Sequence, residues 1–141
     1  MAGRPERGHR CVPHTADVRI EAWAPSREEC VAEAVTALVD TFADTTGART
    51  FTDREYRPQA GEDDEDLLVS VLDEVIFRMD TAGELPVRTE VADEDGTVVR
   101  WRTANTDDVE LVGAVPKAVA LHELRFGPEG PGWSCTVTFD V

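Results

Sequence analysis

Residues 117–141 read KAVALHELRFGPEGPGWSCTVTFDV, two runs of alternating polarity joined by the turn-forming segment Gly127–Gly132. In the second run Trp133, Cys135, Val137, Phe139 and Val141 alternate with Ser134, Thr136, Thr138 and Asp140, the period-2 pattern of a strand with one buried face. In the first run Ala118, Ala120, His122, Leu124 and Phe126 fall on one face, and Val119, Leu121, Glu123 and Arg125 on the other. The connection is too short for a crossover helix, so the two strands must be antiparallel. Asp95-Gly96, between Val87–Ala92 and Thr97–Thr103, predicts a second hairpin, because Asp-Gly supplies the positive φ angles that tight turns need.

The first half of the chain alternates element types. Val18, Ile20 and Ala22 interleave with Asp17, Arg19 and Glu21 as a half-buried strand. Pro25 breaks the pattern, and Ser26 to Glu29 reads as a capping box in which Glu29 reaches back to the Ser26 amide. Val31, Val35, Leu38, Val39 and Phe42 then recur at helical spacing, predicting a helix that ends near Gly47. Phe51 to Tyr56 reads as a short strand. Gly61 to Asp66 is the densest acidic run; it reads as a helix start in preference to a cation loop, because acids there cap amides and complement the macrodipole. The following helix carries Leu67, Val71, Val75 and Met79 on one stripe, with Leu68, Leu72 and Ile76 beside it and Gly83 as its stop. Residues 106–116 are expected as loop. The predicted fold class is α+β, two helices packed on a mostly antiparallel β-sheet. Residues 1–10, polar and glycine-rich, are expected as a disordered N-terminal arm, and 11–141 as one domain.

Composition narrows the function classes. At 141 residues the chain forms one core, burying roughly 68–70% of its unfolded surface. No run approaches the length of a membrane span, and the polar N-terminus has no secretory h-region, which predicts a cytoplasmic protein. Cys11, Cys30 and Cys135 show no C-x-x-C spacing and read as reduced thiols. The net charge of −15, from 14 basic and 29 acidic residues, argues against direct tight nucleic-acid binding, which draws its affinity from cationic side chains. A basic protein partner or bound cations suit such a surface better.

The two ends of this organisation carry matching polar signals. Asp17 opens the first strand and Asp140 closes the last, both on polar faces. If the strands are neighbours, two carboxylates meet, and the main-chain carboxylate of Val141 adds a third oxygen group. Such a set suits a hard cation, calcium or magnesium. The competing reading is a pair of exposed aspartates that block edge-to-edge pairing. Lys117, the only lysine, precedes a strand and can pair with these acids or simply face solvent. His14 can act as ligand or acid–base group, or orient its turn by hydrogen bonds; His122 reads as semi-buried. No G-x-S-x-G, H-E-x-x-H, P-loop or G-x-G-x-x-G occurs, so a catalytic reading, such as a phosphoester hydrolase using His14 and Asp17, has little support.

His14-Thr15-Ala16-Asp17-Val18, Ala32-Glu33-Ala34 with Ala37-Leu38, Asp66 to Ile76, Lys117 to His122 and Trp133…Phe139-Asp140-Val141 together resemble the archease family, in order and over nearly the whole chain beyond residue 10. The resemblance implies a non-catalytic protein cofactor of the GTP-dependent RtcB-type RNA-splicing ligase, acting in tRNA splicing or RNA repair. Such a cofactor promotes ligase guanylylation and multiple turnover. It also implies a divalent-cation site, calcium in the family, with magnesium or manganese as alternatives, at Asp17, Asp140 and Val141, and Lys117 and His14 as functional neighbours. A broader alternative is a chaperone-like interaction module with a structural cation. Arg19 stands where family members usually carry a small residue, and Leu121 where they carry an aromatic one, so Arg19 can alter access to the site.

Overall fold

The computed structural model describes the backbone of residues 6–13 and 17–141, and their side chains except at 12 and 13. In chain order the elements are β1 (Gly8–Pro13), β2 (Asp17–Ala24), α1 (Arg27–Asp40), β3 (Ala43–Asp44), β4 (Thr52–Tyr56), α2 (Asp64–Ala82), β5 (Glu84–Asp93), β6 (Thr97–Asn105), β7 (Glu110–Leu111), β8 (Ala118–Glu129) and β9 (Gly132–Asp140). A single 3-10 turn, Thr106–Asp108, precedes β7. The expected α+β class holds, and every strand pairing described is antiparallel. The strands form three sheets where one was expected, ordered β1-β2-β9-β8, β3-β7 and β4-β6-β5.

Part of the expected N-terminal arm is structured. Gly8, His9 and Arg10 lie in β1, paired with Trp23, Ala22 and Glu21 of β2. Residues 1–5 of that arm lie outside the described residues, as does His14. The strand escapes pattern reading because it is an edge strand whose hydrogen bonds come from the backbone of β2. Charge holds it to α1: Arg7, just before the strand, pairs with Glu29 and Glu33, and His9 within it bridges Glu33 and Asp40.

Both helices form where capping chemistry starts them. The Ser26 hydroxyl accepts from the Glu29 amide at 3.1 Å. The return contact runs from the Ser26 hydroxyl to the Glu29 carboxylate, 3.3 Å, and not from the Ser26 amide. α1 ends at Asp40, short of the expected Gly47, because Thr41 closes it and Ala43 turns out to pair with Leu111. At α2, Asp63 accepts from the Asp66 amide at 2.8 Å, so the acidic run is a helix start. Gly83, at φ 64°, stops it.

α1 packs against β2 and β5, and α2 against β8 and β5. Their apolar faces meet Ile20, Val137 and Phe139 of the four-stranded sheet, all fully buried, with Leu85 and Val99 from the three-stranded one. Short β4 joins that sheet through Tyr56, which stacks on Trp101 at 6.1 Å and hydrogen-bonds Ser70 of α2 at 2.6 Å. No helix described is long and apolar enough to cross a membrane.

One expectation about faces is corrected. Ala120 pairs with Thr138, but Arg125 pairs with Thr136, so β8 spends five residues where β9 spends two. This bulge, with Glu123 at φ 64°, adds an odd number of residues and therefore flips the faces beyond it. Ala118 and Ala120 oppose Asp140 and Thr138 on the polar face, whereas Phe126 opposes Cys135 in the core. His122 lies in the bulge and is exposed, not semi-buried.

Candidate functional site: an aspartate pair at the end of the four-stranded sheet

Alternation along β2 sends Ile20 and Ala22 into the core, both 0% exposed, and leaves Asp17, Arg19 and Glu21 on the opposite face. The same alternation along β9 buries Cys135, Val137 and Phe139 and puts Thr136, Thr138 and Asp140 on the other side. Because β2 and β9 are antiparallel neighbours, Asp17 stands directly opposite Asp140, and Arg19 directly opposite Thr138. Residues 17 and 140, far apart in sequence, thus share one face at one end of one sheet.

Lys117 reaches this end through its backbone. Its amide donates to the Asp140 carbonyl at 2.8 Å, and the next residue, Ala118, pairs with Asp140. The Lys117 side chain is exposed. Val141 follows Asp140 outside the strand and is 37% exposed. Of the residues singled out in the sequence, Asp17, Asp140, Val141 and Lys117 therefore meet, while His14 lies outside the described residues.

Like charges directly opposite on a sheet face repel each other, and the register sets Asp17 against Asp140 on a chain of net charge −15. An all-oxygen pair of this kind fits a hard cation that keeps much of its water. Among the described residues no group of three or more His, Cys, Asp or Glu side chains gathers into a metal cluster, so the fit rests on the aspartate pair.

Two features of the site had no signal in the sequence. Thr138, placed by alternation on a solvated face, is only 1% exposed. Among the described residues its hydroxyl has no hydrogen-bond partner, and neither has the buried Nε of Arg19. Arg19 Nη1 lies 3.9 Å from the Glu123 carboxylate, and the Arg19 side chain is 31% exposed. The β8 bulge, which no local pattern announces, is what brings Glu123 to Arg19.

The model of the archease protein family matches residues 9–141. This chain belongs to the archease family. Among curated archeases, the probable protein archease of Mycobacterium tuberculosis is 51% identical over 144 residues, spanning 100% of this chain and 80% of that one. Protein archease of Archaeoglobus fulgidus is 30% identical over 137 residues, covering 94% and 98% of the two chains. The archease fold is matched by the crystal structure of a Thermotoga maritima archease, described as a possible chaperone. The TM-score is 0.68 at 22% identity, over 100% of this chain and 98% of that one. The solution structure of Methanobacterium thermoautotrophicum protein 1598 aligns with TM-score 0.67 at 23% identity, over 95% and 99%.

Proposed function

We propose that this archease is a non-catalytic activator of a GTP-dependent RtcB-type RNA ligase, and that it works through a divalent cation held by Asp17 and Asp140. The observation that carries the reading is the direct opposition of these two aspartates across β2 and β9. Calcium, magnesium or manganese would bind there by neutralising two facing carboxylates, with water filling the remaining positions. The chain's residues supply placement and charge. The acidic surface favours approach to a basic protein face and disfavours direct capture of RNA.

The test is GTP-dependent guanylylation and RNA joining by the ligase of the same organism, with and without this protein. Stimulated multiple turnover by the wild type, reduced at least about tenfold in Asp17→Asn or Asp140→Asn, is the expected result. Equal stimulation by the wild type and both variants would remove the aspartate pair from the mechanism.

The chaperone-like alternative draws on exposed apolar side chains, Leu121 at 68%, Val112 at 58% and Leu111 at 51%. It expects suppression of aggregation of unrelated proteins, independent of both aspartates.

A further inference from the structure

The solvent face of the three-stranded sheet carries two rows of charge. β6 lies between β4 and β5, and the register sets Asp53, Arg102 and Arg88 in one row and Glu55, Arg100 and Glu90 in the next. The second row is compensated: Arg100 stands between two glutamates and is held by the Glu94 carboxylate at 2.6 and 2.8 Å. The first row is not. Arg102 has an ion-pair contact of 3.3 Å with Asp53, whose side chain is 80% exposed. Arg88, also exposed, makes no hydrogen bond or ion pair among the described residues. Two arginines against one aspartate leave this row one positive charge in excess, on a chain with 29 acidic residues.

A backbone irregularity makes the two arginines neighbours. Pro86 opposes Thr103 and Arg88 opposes Arg102, so β5 spends two residues where β6 spends one. Without this bulge Arg88 would oppose Trp101, which is buried. With it, Val87 packs against the core and Arg88 turns out beside Arg102. Like charges directly opposite on a sheet are destabilising, and these two line a groove of about 500 Å³. Guanidinium forks only donate, and they match a carboxylate or a phosphate. The rest of the face selects between them. Asp53, Glu55 and Glu90 flank the pair, so a nucleic-acid strand would bring further phosphates against carboxylates. A second copy of the chain fits no better: laid face to face with β6 along β6, it sets arginine over arginine. One side-chain carboxylate of a different protein neutralises the excess charge and adds no repulsion.

We propose that this sheet face is a docking surface for a protein partner, and that Arg88 and Arg102 together grip one aspartate or glutamate of that partner. The partner is the ligase, and in this respect the proposal rests on the activator reading above; it does not depend on a cation at Asp17 and Asp140. On a surface that otherwise attracts basic faces, one contact of inverted sign fixes the orientation in which the partner sits.

Calorimetry of the full chain with the ligase of the same organism tests this, using the wild type, Arg88→Gln, Arg102→Gln and the double variant. Each single variant should weaken binding about tenfold, the size of a hydrogen bond to a charged group. The double variant should fall far short of the product of the two, because both arginines hold the same carboxylate. Added salt should narrow the gap between wild type and variants. Arg88→Gln should not lower the melting temperature, since it removes only a like-charge neighbour, so its weaker binding is not unfolding. At saturating concentration both single variants should still stimulate RNA joining, because they lie on a different sheet from the aspartate pair. Equal binding of the ligase by the wild type and both variants would overturn the docking surface and leave the activator reading standing. No binding by the wild type would overturn both. Unchanged ligase binding, with these variants instead losing affinity for a single-stranded RNA or losing a dimer of this chain, would overturn the protein occupant.

Discussion

His9 joins β1 to α1 through two carboxylates, with Nδ1 2.7 Å from Glu33 and Nε2 3.0 Å from Asp40. Burial opposes charge on the ring, but the hydrogen bonds to Glu33 and Asp40 outweigh it and raise the imidazole above its ordinary value of 6.5. Arg7 shares one of these acids, Glu33, and also pairs with Glu29. The sign follows from linkage: a raised folded-state value means that the folded protein holds the proton more tightly than the unfolded chain. The contribution is complete below about pH 6.5 and is lost as pH climbs through the raised value. Urea unfolding midpoints should therefore fall as pH rises above about 6.5, and His9→Gln should flatten that slope. A wild-type slope that survives the substitution would assign it to another group. Nothing in the run Gly8 to Pro13 marks His9 as a bridging residue, since both partners lie more than twenty residues away on a helix.

At the scale of elements, the ends of α2 show how local chemistry becomes tertiary constraint. Asp63 caps the first turn, and Asp63→Ala should cost about 1 kcal/mol. Gly83 takes φ 64°, its carbonyl accepts from the Thr106 amide at 2.8 Å, and an added Cβ would lie 3.3 Å from the Thr106 hydroxyl. Gly83→Ala should therefore destabilise by about 1 kcal/mol or more. Gly47, which has open space around it and no positive φ, is the control, and Gly47→Ala should be neutral or slightly stabilising. Urea titration of the three variants checks the ranking. The bulge in β8 belongs to this scale too. It reverses the faces of one strand, so that Ala120 and Phe126, six positions apart, serve opposite sides of the sheet.

Across the whole molecule, the core is assembled from segments distant in sequence, and the thiols report on it. Cys30 on α1 and Cys135 on β9 are buried, and Cys11 on β1 is exposed. Contact with Cys30, together with burial, pushes the Cys135 thiol well above its ordinary value, which makes it a poor nucleophile in the folded state. A disulfide-exchange reagent should modify one thiol rapidly in the native protein and the other two at the rate of opening. Replacing Cys11 with Ser should remove the fast phase. Three equal rates would mean that α1 leaves the sheet far more readily than its packing implies.

Local pattern sufficed for elements with one buried face and recognisable ends. α2, the 93–97 hairpin, β2 and β9 follow from periodicity, caps and turn residues, all of which act over a few positions. Alternation placed Asp17 and Asp140 on polar faces, and the family motifs linked them. That they stand opposite each other required β2 and β9 to pair, a contact between residues 17 and 140. β1, the three-sheet division, the β8 bulge and the burial of Thr138 were invisible for the same reason. Each depends on which segments meet after folding, and long-range packing overrides local preference wherever a backbone edge or an irregular loop is covered by something distant.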